Sequence, residues 1–149
     1  MIAVGDSCIV QVFMEEKVEK FLKSFWGVRQ HLFRHVTPLM EQAHGLELSE
    51  YFLLKHISEH NDTPSAIAEL LQIPPHGISR KLDSLQRQGL ITRTLDPQDA
   101  RKRVLEMTEK GKATLHDAQK LMNEEVSQML MVLNTAELEQ LLSSLEKLA

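Results

Sequence analysis

Residues 75–111 read PHGISRKLDSLQRQGLITRTLDPQDARKRVLEMTEKG, and three kinds of patterning follow one another within them. Ile78, Leu82 and Leu85 recur at i, i+4 and i+7, which lays one apolar stripe along a helix. That helix is expected to stop at Gly89, because glycine enters the left-handed conformation that closes a helix without steric cost. Its other side carries His76, Ser79, Arg80, Asp83 and Arg87, chiefly groups that hydrogen-bond to base edges or phosphates. Gly77 lies in the same first turn, and Ser65, on the preceding helix, completes the candidate contact set on this side. After Gly89, Leu90 to Leu95 alternates apolar and β-branched polar residues, DPQDARKR is turn-forming and basic, and Val104 to Met107 alternates again. Two short strands joined by a basic loop make a β-wing. Arg101, Lys102 and Arg103 are consecutive there, a charge density that needs water or an anion opposite it. Arg101 would suit a narrow, strongly negative minor groove.

Upstream, Thr63 and Pro64 pair a helix cap with proline at the first helical position. They open a short helix with Ile67, Leu70 and Leu71 on its inner face, before a turn around Gln72 to Gly77. A short helix, a tight turn and a second helix with polar N-terminal residues is the helix-turn-helix arrangement, in which the second helix enters the major groove. Such pairs of helices occur in many folds, and the wing makes the assignment specific. Further upstream, Ser49 is expected to cap a helix with Phe52, Leu53, His56 and Ile57 on one face. From Met14 to Val36 apolar residues hold the spacing of one helical face. Thr37 and Pro38 repeat the cap-then-proline pattern and predict a break or kink, with a short continuation to Gly45.

Downstream, Thr108 caps a helix whose apolar band runs from Ala113 to Leu133, and a second capped helix at Thr135 carries Leu138, Leu141, Leu142, Leu145 and Leu148 in a row. Together with the first helix they hold more apolar surface than a small winged module can cover. A two-fold dimer would bury it and space two reading heads along DNA.

At 149 residues, 42% hydrophobic and 26% charged, the chain suits one globular domain with a real core. Its single cysteine, Cys8, excludes an internal disulfide framework and a zinc site built from several thiolates. The start, MIAVGDSCIVQVF, has an acid where a signal peptide carries lysines, and no run is long enough to span a bilayer, so a cytoplasmic protein is expected. The net charge of −4 argues against nucleic acid only until it is divided along the chain. Residues 1–73 and 104–149 each carry −4, whereas residues 74–103 hold 7 basic against 3 acidic residues. The one basic block coincides with the helix and wing, the footprint of a localised nucleic-acid contact.

Asp99, Arg101, Val104, Met107, Thr108 and Gly111 together resemble the wing signature of the MarR family of transcriptional regulators. Ser79, Arg80, Leu82, Leu85, Gly89, Leu90, Ile91 and Arg93 likewise resemble the family's recognition helix and following strand. The resemblance implies a mainly α fold with a small two- or three-stranded β-wing: a winged helix-turn-helix domain plus N- and C-terminal dimerisation helices. It implies a single domain over residues 1–149, with a DNA-binding lobe at about 47–110 and a helical dimerisation lobe from about 12–45 and 111–149. The implied protein is a homodimeric, ligand-responsive repressor that reads a pseudo-palindromic operator in double-stranded DNA. Arg101 would enter the minor groove with Asp99 orienting the wing, and Ser79 and Arg80 would lie at the major groove. Met107 stands where the family usually has leucine, a volume-conserving change, and Pro38 interrupts the entry to the dimer region.

Family members commonly bind a small, often anionic or phenolic effector in a cleft between the dimer helices and the winged module. Trp26, Arg29, Phe52 and His56 are the candidates for such a site, although aromatic residues at helical spacing more often belong to a core. Cys8, a lone cysteine near the first helix, resembles the oxidation sensor of peroxide-responding members, yet no basic residue lies near it in sequence to lower its pKa. His31 with His35, and His56 with His60, have the four-residue spacing of a helical metal site but lack an evident third ligand. No metal and no cofactor is therefore expected. The chain has no Gly-rich phosphate loop, nucleophile elbow or catalytic acid pair, which argues against an enzyme. The alternatives are a winged-helix protein-interaction module without DNA binding, and a redox- or metal-responsive variant of the same regulator.

Overall fold

The computed structural model describes residues 5–59, 63–70, 74–95 and 103–148, with side chains from Met14 onward except those of Leu70, Pro75 and Arg103. Six helices and one antiparallel strand pair make up the described residues: α1 Gly5–His44, α2 Leu48–Glu59, α3 Pro64–Leu70, α4 Pro75–Arg87, β1 Ile91–Leu95, β2 Arg103–Met107, α5 Glu109–Leu130 and α6 Thr135–Glu146. The order is that of a winged helix-turn-helix framed by long helices.

The core is one cluster that gathers a few residues from almost every element. Val36 and Met40 of α1, Leu53 and Leu54 of α2, Ile67 of α3, Ile78, Leu82 and Leu85 of α4, Ile91 of β1, Leu105 of β2 and Leu115 and Ala118 of α5 all lie in it. The apolar stripe expected on α4 is the face it buries. At about 1.5–3 kcal/mol for each fully buried Leu or Ile side chain, those three positions alone outweigh the weak helix-forming tendency of a 13-residue segment.

Helix punctuation follows the sequence at most positions. Gly45 and Gly89 both take positive φ, +64° and +72°, and Leu90 N–H donates to the Leu85 carbonyl at 3.0 Å to close α4. Thr63 Oγ1 accepts from Ala66 N–H at 3.3 Å and caps α3. Asn134 and Glu137 exchange hydrogen bonds across the start of α6 as a full capping box.

Two expectations fail. No break occurs at Pro38, which sits inside an uninterrupted α1. Val36 and Met40 are buried on either side of it, and that packing holds the helical path where one backbone hydrogen bond is missing. Thr37 Oγ1 is buried without a hydrogen-bond partner, so Thr37 caps nothing. Nor does Ser49 cap α2, which begins one residue earlier at Leu48. Instead the buried Glu50 carboxylate accepts from Glu47 N–H at 3.0 Å, while Ser49 Oγ accepts from Lys81 Nζ of α4 at 2.6 Å.

α5 packs on α1, α2 and β2, so it joins the winged module to the long first helix. Beyond that contact the chain leaves much of its apolar surface bare. Met14, Val18, Phe21, Leu22, Phe25 and Trp26 of α1 are exposed, as are Leu141, Leu142, Leu145 and Leu148 at the C-terminal end. α6 has no buried residue.

Candidate nucleic-acid interface

The outward face of α4 is set by elimination. With Ile78, Leu82 and Leu85 in the core, the 3.6-residue period turns His76, Ser79, Arg80, Asp83 and Arg87 to solvent, and all five are exposed. Gly77 is half-buried and Ser65 is exposed on α3. Among the candidate contact residues, Asp99, Arg101 and Lys102 lie outside the described residues, and of Arg103 only the backbone, at the start of β2, is described.

The wing's strands pair in the register Ile91↔Met107, Thr92↔Glu106, Arg93↔Leu105, Thr94↔Val104 and Leu95↔Arg103. Alternation along β1 puts Ile91 and Arg93 on one face and Thr92 and Thr94 on the other. Ile91 is buried in the core, so Arg93 points inward too, and its side chain is only 15% exposed. Its guanidinium passes beneath the outward face of α4. There Arg93 Nη2 pairs with Asp83 Oδ1 at 2.7 Å and lies 3.5 Å from the Ser79 carbonyl. Arg93 Nε is buried without a partner. Arg93 was legible as a family-like position but not as a member of the site; a cation at an inward strand position was the signal that could have revealed it.

A second anchor holds the opposite side of α4. Lys81 Nζ donates to Glu47 Oε2 at 2.9 Å and to Ser49 Oγ at 2.6 Å, tying α4 to the start of α2. The hydrogen bond and charge of Lys81 hold the Glu47 carboxyl below its ordinary value of 4.5.

The C-terminal end of α4, the root of the wing and the start of α5 meet at Thr108. Its N–H donates to the Leu90 carbonyl at 3.0 Å, its hydroxyl donates to the Gly89 carbonyl at 2.7 Å, and its Oγ1 accepts from Gly111 N–H at 2.9 Å as the α5 N-cap. Lys110 Nζ donates to the Gln88 carbonyl at 2.7 Å. Gly111 is required by crowding: a Cβ there would overlap the Leu90 carbonyl oxygen. Two residues of the wing signature, Thr108 and Gly111, are thus at the seam where α4, the wing and α5 are joined.

The other sequence candidates are dispersed. Arg29 stacks its guanidinium over Trp26 at 5.0 Å and Phe33 at 4.7 Å, while Phe52 packs edge-on against Tyr51. Trp26 and Phe52 are 54% and 49% exposed, so neither is core. None of Trp26, Arg29, Phe52 and His56 lines the groove between α1 and α5 or the one beneath β2. The His31 and His35 rings sit 4.3 Å apart at the α1–α5 groove, and no cluster of three metal-ligating side chains is found among the described residues. His60 lies outside the described residues, and of Cys8 only the backbone, within α1, is described. No helix among the described residues is long and apolar enough to cross a membrane.

A short helix, then a buried-stripe helix, followed by a two-stranded wing, defines a winged helix-turn-helix protein. The family model described as the MarR family matches residues 44–102, from the end of α1 into the wing. The HTH-type transcriptional regulator MhqR of Bacillus subtilis (strain 168) is 25% identical over 118 residues, 78% of this chain and 78% of that protein. In fold, the transcriptional regulator BldR from Sulfolobus solfataricus aligns with TM-score 0.78 at 23% identity, over 91% of this chain and 95% of that one. The S. aureus MepR–DNA complex aligns with TM-score 0.75 at 23% identity, over 86% and 95%. Residues 44–102 thus match the MarR family model, and the proteins that the longer chain resembles in sequence and in fold are transcriptional regulators.

Proposed function

We propose that this protein is a homodimeric repressor that binds a pseudo-palindromic site in double-stranded DNA, with α4 in the major groove and the wing in the minor groove. The observation that carries the reading is the outward face of α4. Ser79, Arg80 and Arg87 stand exposed on a helix whose Ile78, Leu82 and Leu85 are buried in the core, within residues 74–103, which hold 7 basic against 3 acidic residues. A protein of the same fold is bound to DNA in the MepR complex. On this reading Ser79 and Arg80 meet base edges, His76, Gly77, Ser65 and Arg87 approach the backbone, and Arg101 with Lys102 and Arg103 serves the wing, supported by Asp99. The homodimer is supported by the bare apolar faces of α1 and of the C-terminal helix, which a two-fold partner would cover. Release by a small anionic aromatic effector is supported by the Trp26–Arg29–Phe33 stack, which offers a cation and two rings at one place on α1.

Selection of bound sequences from a random double-stranded DNA pool tests the reading. Enrichment of a pseudo-palindrome, bound with an affinity that falls steeply as salt rises, is the expected result. No salt-sensitive DNA binding at all would turn the winged fold over to a protein partner instead.

A further inference from the structure

Asp83 is the sole acidic residue of α4, and it stands on the face that the proposed function turns toward a polyanion. A carboxylate there either accepts from a base donor such as a cytosine amino group or repels phosphate. The structure gives it a third role. Its Oδ1 is engaged by Arg93 at 2.7 Å, and the same Arg93 Nη2 reaches the Ser79 carbonyl at 3.5 Å. Ser79 and Asp83 are one helical turn apart, so a single guanidinium on β1 meets α4 at two points along its length. The arrangement limits rotation of α4 against the wing as well as their separation.

Arg93 is poorly placed for any other task. It sits on the inward face of β1, cross-strand from buried Leu105, with its Nε enclosed and unpartnered. A desolvated cation is kept at such a position only by an opposing charge. Among the described residues that charge is Asp83.

We propose that Asp83 and Arg93 are a positioning pair which sets the angle between α4 and the wing, so that major-groove and minor-groove contacts are made together. Asp83 on this account reads no base. The inference rests on the DNA-binding reading above and adds to it a mechanical link between two reading elements.

The link predicts non-additivity, which a double-mutant cycle on the full-length protein and its selected DNA site measures. The variants are Asp83→Asn, Arg101→Ala and both together, with affinities taken at fixed salt and after correction for folded fraction by circular dichroism. Asp83→Asn alone is expected to weaken binding by about tenfold. Added to Arg101→Ala it should weaken binding by no more than about twofold, because a wing without its arginine gains little from being held in place. Arg93→Lys, which keeps the charge but loses the planar fork, should show the same coupling and replaces Asp83→Asn if that variant does not fold. Additive losses overturn the proposal. Loss of discrimination confined to one base pair makes Asp83 a reader, and tighter binding by Asp83→Asn makes it a repulsive charge; either result also overturns it. A parent protein that binds no DNA removes the functional reading and this one together, whereas additivity in a parent that binds removes only this one.

Discussion

The seam at Thr108 makes Gly111→Ala the sharpest test of how the winged module is built. The new Cβ would overlap the Leu90 carbonyl oxygen and lie 2.9 Å from its carbonyl carbon and 3.2 Å from its Cα. All three are backbone atoms, so no rotamer change relieves the clash and the first turn of α5 has to move off β1. Overpacking of this kind costs about 1–3 kcal/mol. The movement also strains the Thr108 N–H bond to Leu90 and the Thr108 cap of Gly111, together worth about 1–2 kcal/mol. Against these stands a gain of about 1 kcal/mol from replacing glycine by alanine inside a helix. The balance is a loss of about 1–4 kcal/mol, read as a lower urea midpoint at unchanged slope and fixed protomer concentration. Thr108→Ala, which removes the hydroxyl without adding a clash, should cost about 1–2 kcal/mol. An alanine variant at 111 as stable as the parent would mean that the approach of α5 to Leu90 is not a fixed feature of the fold.

Three further outcomes follow from the same contacts. The Glu47 carboxyl is held below 4.5 in the folded chain by Lys81, so its contribution is complete above that value and is lost as pH falls through the lower, folded value. With the Glu47 side chain 61% exposed, the effect is below about 1 kcal/mol, and Glu47→Gln should flatten that part of an acid stability profile while leaving neutral pH nearly unchanged. Leu142→Glu, on a helix without buried residues, should shift sedimentation from the proposed dimer toward monomer; an unchanged dimer would remove this face from the proposed interface. Arg87→Ala should lessen the salt dependence of DNA binding by about one unit of slope, with equal loss on all sequences, and a loss confined to particular base pairs would reassign Arg87 to base readout.

Much of the winged module was legible because its signals are local. A three-residue stripe, the glycine that closes α4 and two alternating runs suffice to place α4, β1 and β2 to within a residue or so. What failed was decided at a distance. The proline rule at position 38 lost to the burial of Val36 and Met40, which no local pattern reveals. Ser49 looks like a cap within its own segment, but its hydroxyl serves Lys81, 32 residues away. Gly111 could be recognised as part of a signature, yet the reason for it, the Leu90 carbonyl, lies across the seam. Arg93 is the instructive case, because its inward position follows from alternation alone once Ile91 is placed in the core. A charged residue where the pattern requires an apolar one points to a partner, and the partner is Asp83, on the exposed face of α4.

These long-range contacts share a purpose. Lys81 fixes α4 to the start of α2, Arg93 fixes it to the wing, and Thr108 with Lys110 fixes its C-terminal end to α5. The exposed face of α4 is thereby held from three sides by groups that do not belong to its apolar stripe. A stripe alone leaves a helix free to slide or roll by a few degrees against a core of interchangeable leucines, whereas directional polar contacts at separate points do not. For a surface proposed to meet base edges, where hydrogen bonds weaken steeply with misalignment, that orientational control has to come from the scaffold. α5 extends it further, since its 22 residues form a rod of about 33 Å with one end in the seam and the other beside α1. Thr108 therefore joins the long helices to the C-terminal end of α4 through hydrogen bonds to the Gly89 and Leu90 carbonyls.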